Sequence, residues 1–224
     1  MNKYYTQKLS DKRLEQCYDV APERVRQYLN AEIEFVCERI KKNDTVLELG
    51  CGYGRVFPKL LTKAKAVFGI DYSFPSLEYG KQIIGADEKV HFFQMDAGEL
   101  CFPNQTFNAV LCIQNGLSAF KVNRQKLIRE AVRVTKSGGL IFLSTYAEKF
   151  WQHRIKWFEI QSAHDLIGEI DYDKTGEGVI MCKDGFRAET ISIDEFAELS
   201  YSLKLSSEII EIDDSSLFCI IRKI

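Results

Sequence analysis

No stretch of this chain is both long and uncharged, and its first residues do not read as a leader, so a cytoplasmic protein without a membrane partner is expected. A concentrated basic surface is lacking too. Lysines and arginines are scattered, the one dense run (Glu38-Arg39-Ile40-Lys41-Lys42) reads as a solvated helix end, and the formal net charge is −2. That balance argues against a nucleic-acid partner, because binding a phosphate backbone needs clustered cations. The seven cysteines include no Cys-x-x-Cys and no Cys/His pair at zinc spacing, which excludes a disulfide framework and a zinc knuckle and leaves buried free thiols in a reducing compartment. No repeat and no low-complexity tract interrupts the 224 residues, and with 46% hydrophobic and 28% charged residues they suffice for one domain with a substantial core.

What is present is organised around Thr45–Arg55, Thr-Val-Leu-Glu-Leu-Gly-Cys-Gly-Tyr-Gly-Arg. Val46, Leu47 and Leu49 make the short apolar run of a buried central strand. Gly50, Gly52 and Gly54 follow at every second position, and Val56, Phe57, Leu60 and Leu61 recur at helical spacing. Strand, glycine turn and helix form the opening unit of a nucleotide-binding α/β sheet, with unpaired N–H groups and a positive dipole end expected over the turn. Two departures separate it from the dinucleotide pattern: the glycines run G-x-G-x-G into Arg55, and Glu48 stands where such a strand is normally apolar. A carboxylate at the end of a buried strand needs a partner, and a cationic ligand would supply one.

Further along, Ala66–Ile70 reads as a second strand with Asp71 just past its end, and Ser73 with Pro75 starts a helix through Leu77, Ile83 and Ile84. Val90–Phe93 reads as strand three, followed by Met95-Asp96-Ala97; Phe107–Ile113 as strand four; Leu127, Ile128, Ala131 and Val134 as a helix; and Leu140–Ser144 as strand five, after the turn Lys136-Ser137-Gly138-Gly139. Four strand-helix units in succession predict a parallel, doubly wound sheet. Ahead of it, Leu14, Cys17, Tyr18 and Ala21 suggest one helix, and Val25, Leu29, Ile33, Val36 and Ile40 a second, amphipathic one beginning at Pro22; Met1–Ser10 shows no clear period. After it come a helical Glu148–Ala163, short strands within Ile167–Ile193, a helix capped by Asp194, and a hairpin of Ser207–Ile212 with Leu217–Ile221.

The Glu-x-Gly-x-Gly-x-Gly arrangement resembles motif I of the class I S-adenosylmethionine-dependent methyltransferases, in a small-molecule, type-11-like branch. Asp71, Asp96 and the Lys-x-Gly-Gly approach to strand five fall in the family's order and spacing. The resemblance covers roughly 43–144 and implies a Rossmann-like α/β fold: a seven-stranded sheet, mostly parallel, an antiparallel C-terminal hairpin strand beside strand five, helices on both faces and a small β-rich insertion. It implies a single domain over 1–224, with an N-terminal helical cover (1–42), a cofactor-binding core (43–145), a cover or insertion (146–193) and a C-terminal helix and hairpin (194–224). It also implies S-adenosylmethionine as cofactor and S-adenosylhomocysteine as product. Gly50, Gly52 and Gly54 would flank the methionine moiety, Asp71 would bind the ribose, Asp96 the adenine amine, and Glu48 the amino-acid end or its water shell. Cys51, Tyr72, Ala97, Ile113 and Gln114 complete the implied cofactor lining.

The reaction type is less legible. Ile113-Gln114-Asn115-Gly116 lacks the prolines that follow strand four in enzymes methylating adenine or glutamine amides. Gln114 and Asn115 are poor ligands for a divalent cation, so no metal is expected. Cys112, within an apolar strand, reads as a core residue and not a nucleophile, and Cys51 likewise as packing. Transfer from a sulfonium to an amine or thiolate rests mainly on in-line placement in a dry pocket, which makes the missing catalytic dyad unsurprising and leaves the catalytic residues unassigned. His91 reads as structural; His153 and His164 are formal base candidates that read better as solvated. The acceptor, a small molecule with an N, O or S nucleophile, is expected to meet Tyr5, Tyr18, Asn115 and Tyr146, in a monomer or homodimer. A methylase of protein or nucleic acid and a catalytically silent binding protein of the same fold are the competing readings.

Overall fold

A computed structural model describes residues 3–120 and 122–224. Short helices α1 (Lys3–Gln7) and α2 (Asp11–Asp19) precede α3 (Glu23–Cys37), which begins directly after Pro22. Then follow β1 (Thr45–Leu49), α4 (Phe57–Leu60), β2 (Ala66–Asp71), α5 (Phe74–Ile84), β3 (Val90–Gln94), β4 (Phe107–Cys112), α6 (Gly116–Ala119), α7 (Arg124–Val134) and β5 (Thr135–Tyr146). A 3-10 turn at Glu148–Phe150 leads into α8 (Trp151–Ala163), followed by β6 (Val179–Met181), β7 (Arg187–Glu189), α9 (Ile193–Ser202), β8 (Ser207–Ile212) and β9 (Ser216–Arg222).

The main sheet has seven strands in the order β3-β2-β1-β4-β5-β9-β8. The first five run parallel, and β9 enters antiparallel between β5 and β8. This is the Rossmann-like sheet expected from the sequence. Its central strands β1 and β4 are buried on both faces because helices cover both, and apart from Thr45, Glu48 and Asn108 they are apolar. One buried layer joins β1, β4, β5 and β9 to α7 and α9 around Leu47, Phe107, Leu127 and Phe196. The other joins them to α3 and α4 around Val36, Phe57, Phe142 and Phe218. A third cluster lies apart from the sheet and packs α1–α3 against α8 and the β6–β7 ribbon, through Tyr4, Cys17, Tyr28, Trp157, Phe158 and Phe186.

Several local expectations need correction. The segment 1–10 holds a short helix, whereas Met1 and Asn2 lie outside the described residues. Helix α3 stops at Cys37, and Ile40 is buried beyond it. Ser192, not Asp194, caps α9: its side chain accepts from the Glu195 N–H while the Glu195 carboxylate accepts from the Ser192 N–H. Strand five starts at Thr135, with a register shift between Phe107 and Ala109 of its partner and Gly138 at φ 77° absorbing the turn.

Candidate active site

Strands β1, β2 and β4 end at one edge of the sheet, and the chain turns there into a cavity of about 430 Å³. Its floor carries Glu48, Gly50, Cys51, Gly52, Asp71, Tyr72, Asp96, Ala97, Ile113, Gln114 and Asn115; its roof includes Tyr5, Tyr18, Tyr28, Tyr146, Trp157 and Phe158. Every site residue expected from the sequence lines it except Gly54. A Cβ on Gly54 would sit 2.7 Å from the Phe92 ring, so that glycine serves packing behind the turn.

The turn itself differs from the expectation. Helix α4 is a single turn of four residues and lends almost no dipole. The N–H groups of Gly50 and Cys51 both donate to the Ile70 carbonyl (2.8 and 3.0 Å), Gly54 donates to Cys51 (2.8 Å), and Gly52 donates to Asp71 Oδ2 (2.9 Å). Four N–H groups of the turn are thus engaged within the protein. Its left-handed residues, Gly50 at φ 75° and Gly52 at φ 54°, bring the backbone close to Phe120 and Leu14 without a side chain between.

The three acids differ in how they are held. Asp71 ends β2 with both oxygens engaged, Oδ2 by Gly52 and Oδ1 by the Ser73 N–H at 2.7 Å, so strand and turn are locked together. Burial still raises its pKa, opposed by those backbone donors. Asp96 accepts from the Gly98 N–H at 2.7 Å and is partly exposed. Glu48, paired in register with Gly69 and Leu111, is buried, and its Oε2 meets no donor. Desolvation pushes its pKa to about 8, with Arg55 pulling it down and Asp71 pushing it up. Arg55 acts on it only from a distance, and among the described residues no cation forms an ion pair with this carboxyl.

After β4 the backbone makes two consecutive left-handed residues that are not glycine, Gln114 at φ 56° and Asn115 at φ 63°. Such strain costs roughly 1 kcal/mol or more per residue and persists only where the surroundings impose it. They do so here through Glu32, fully buried on α3: its Oε2 accepts from the Gln114 N–H (2.7 Å) and the Ser144 hydroxyl (2.9 Å), and its Oε1 from the Ser216 hydroxyl (2.6 Å). Burial lifts its pKa to about 7 against those donors. The Asn115 amide is occupied as well, donating to Ser118 and accepting from Thr145, both at 2.8 Å, which makes it a brace of the wall more than a free ligand. The Gln114 side chain accepts from Arg55, whose guanidinium stacks 4.5 Å from the Tyr18 ring.

The three histidines fall elsewhere. His91 packs on Phe68 at the β3 edge and His153 on Phe150; His164 ends α8, and none of the three lines the cavity. Tyr4 donates to Asp184 and ties α1 to the loop after β6. Trp157 does line the cavity, and its indole N–H donates to the Cys17 carbonyl at 2.8 Å, joining α8 to α2. Sequence reasoning missed Glu32, Tyr28 and Arg154. The signal was present: Val25, Tyr28, Leu29, Glu32, Ile33 and Val36 repeat at helical spacing, as do Phe150, Arg154, Trp157, Phe158 and Gln161, so a charged residue interrupts each buried stripe.

With this geometry in place, known proteins are informative. The family described as "Methyltransferase domain" matches residues 46–139. Those residues match a methyltransferase domain, on a fold shared with S-adenosylmethionine-dependent methyltransferases of known structure. A demethylmenaquinone methyltransferase of Clavibacter sepedonicus is 32% identical over 104 residues, 46% of this chain and 42% of that protein. The chain spans about half the length of the curated relatives it matches. Among solved structures, a SAM-dependent methyltransferase of Methanosarcina mazei superposes with a TM-score of 0.62 at 18% identity, over 85% of this chain and 97% of that one. A 1,6-didemethyltoxoflavin-N1-methyltransferase of Burkholderia thailandensis, solved with its substrate and S-adenosylhomocysteine, gives 0.55 at 16% identity, over 81% and 72%. At such identities these two structures speak for the fold. No helix among the described residues is long and apolar enough to cross a membrane.

Proposed function

We propose that this methyltransferase domain binds S-adenosylmethionine on the floor of the cavity and transfers its methyl group to a small molecule enclosed beneath the aromatic roof. The observation that carries this reading is the buried, unpartnered Oε2 of Glu48 beside a glycine turn that no side chain fills. A cation is what such a carboxyl requires, and the ammonium of the cofactor supplies it. Asp71 has lone pairs left for ribose hydroxyls beyond the two backbone donors it already holds. Asp96, beside Ala97, is the acceptor for the adenine amine, and Tyr72, Cys51, Ile113 and Gln114 close the lining.

When bound, the cofactor contributes a sulfonium-activated methyl carbon. The chain contributes position and dryness: the strained Gln114-Asn115 corner, fixed by Glu32, sets one wall, and the roof excludes water. No histidine lines the cavity, and Cys17 and Cys51 there are buried thiols held in the protonated form, so an acceptor with its own nucleophile fits best. Roofing by α1, α2 and α8 favours a small acceptor over a polymer. Titration of S-adenosylhomocysteine by calorimetry, followed by mass-spectrometric detection of its release from S-adenosylmethionine with small amines, thiols and acids, tests the proposal. No binding at millimolar concentration would overturn it.

A further inference from the structure

Arg154 is the largest fully buried side chain of the roof. Its Nη1 donates to the Gly178 carbonyl at 2.7 Å, but Nε and Nη2 meet no acceptor, and no carboxylate forms an ion pair with it among the described residues. The guanidinium instead lies 4.5 Å from the Tyr146 ring centre and 5.7 Å from those of Trp151 and Phe158. Tyr146 and Phe158 are cavity wall, so the cation forms the layer directly behind it. A buried cation without a counter-ion is costly, and cation–π contact offsets only part of that cost.

In front of it stand phenols. Tyr5, Tyr28 and Tyr146 line the cavity, and all three interact electrostatically with Arg154. The Tyr28 and Tyr146 rings are 5.1 Å apart, and the Tyr28 hydroxyl faces Tyr146 without forming a well-made hydrogen bond. Glu32 lies behind Tyr28, but its two oxygens already accept from three donors. At this end the polar lining is the phenols of Tyr5, Tyr18, Tyr28 and Tyr146 and the Gln161 amide, among the rings of Trp157, Phe158 and Phe186, and the groups buried without a partner are donors, the Tyr28 hydroxyl and the Arg154 guanidinium behind the wall. On the floor opposite, the open groups are the carboxylates of Glu48, Asp71 and Asp96.

We infer that the roof end of the cavity is an oxyanion seat, in which the hydroxyls of Tyr28 and Tyr146, backed by Arg154, hold a carboxylate or ionised hydroxyl of a flat acceptor. This rests on the methyltransferase reading and adds the acceptor's chemical class. Donors aimed at an anionic oxygen in a dry pocket select it over its neutral isostere, and the buried guanidinium repels an ammonium in the same place. An oxygen seated there also orients the ring, because the remaining wall is apolar.

Matched probes test this on the full chain. Benzoate, benzamide and benzylammonium are titrated at pH 7.5 into protein with and without S-adenosylhomocysteine. Benzoate is expected to bind at least about tenfold tighter than benzamide, with benzylammonium weakest. Tyr28→Phe, which removes one oxygen from the core, and Arg154→Gln should each erase most of that preference while benzamide affinity moves by less than about threefold. If Arg154→Gln fails to fold, Tyr28→Phe decides alone. Benzamide or benzylammonium binding as tightly as benzoate, an unaltered preference in Tyr28→Phe, or no binding of any probe would overturn the inference. Failure of S-adenosylhomocysteine to bind would count against the methyltransferase reading, and the titrations without it still judge the seat.

Discussion

The floor and the roof of the cavity are built by opposite means. The floor is acidic and comes from a continuous run of strand ends: Glu48, Asp71 and Asp96 each follow or end a parallel strand, and the turn between them is fixed by backbone hydrogen bonds. The roof is aromatic with a buried cation, and it is assembled from α1–α3 and from residues 146–188, more than a hundred positions apart in the chain. Backbone geometry recurs wherever the fold does, whereas a side-chain wall can change without disturbing the sheet. The floor therefore suits a shared cofactor and the roof an individual acceptor.

Gly52→Val should break the floor most severely. Its backbone is left-handed, and even a Cβ would sit 3.0 Å from Leu14, so S-adenosylhomocysteine binding should be lost in calorimetry. Replacing the roof residue Tyr5 by Ala should act oppositely, with cofactor affinity held within about threefold and methyl transfer down by tenfold or more. Parallel affinity and turnover measurements expose the split; equal losses in both would merge the two regions into one.

Glu48→Gln should weaken S-adenosylmethionine binding by roughly 1–3 kcal/mol while stabilising the ligand-free protein at pH 8 and above. The sign follows from the raised pKa: between the ordinary 4.5 and about 8 the folded chain keeps a proton that the unfolded chain has released, so stability falls as pH rises through that window. The variant lacks this slope, which thermal melts from pH 5 to 9 would reveal. For the same reason cofactor affinity should rise from pH 6 to 8 and then level off, with proton uptake by the buffer visible calorimetrically.

Asp71→Ala should cost cofactor binding roughly 1–3 kcal/mol and loosen the turn by freeing the Gly52 N–H, seen as faster amide exchange there. The smallest effect is expected from Glu32→Gln, which can still accept from Gln114. Stability should drop by only about 1 kcal/mol, and its dependence on pH near 7 should disappear.

Local sequence determined the strands, the glycine turn and the acids that end β1 and β2, because each depends on residues a few positions away: apolar runs for buried strands, glycine for a left-handed backbone, a carboxyl where a strand stops. It also reached the parallel, doubly wound sheet through the succession of strand-helix units, while the place of the hairpin strand beside strand five came from the family resemblance. It did not announce that the Ile70 carbonyl and Asp71 occupy the N–H groups of Gly50, Cys51 and Gly52. The roof was decided by tertiary structure. Nothing near Arg154 in sequence announces that it lies behind Tyr146, and nothing near Glu32 announces Gln114, Ser144 and Ser216. A charged residue inside an apolar stripe tells that burial awaits it, but its partner arrives from another part of the chain, and long-range packing alone brings the two together.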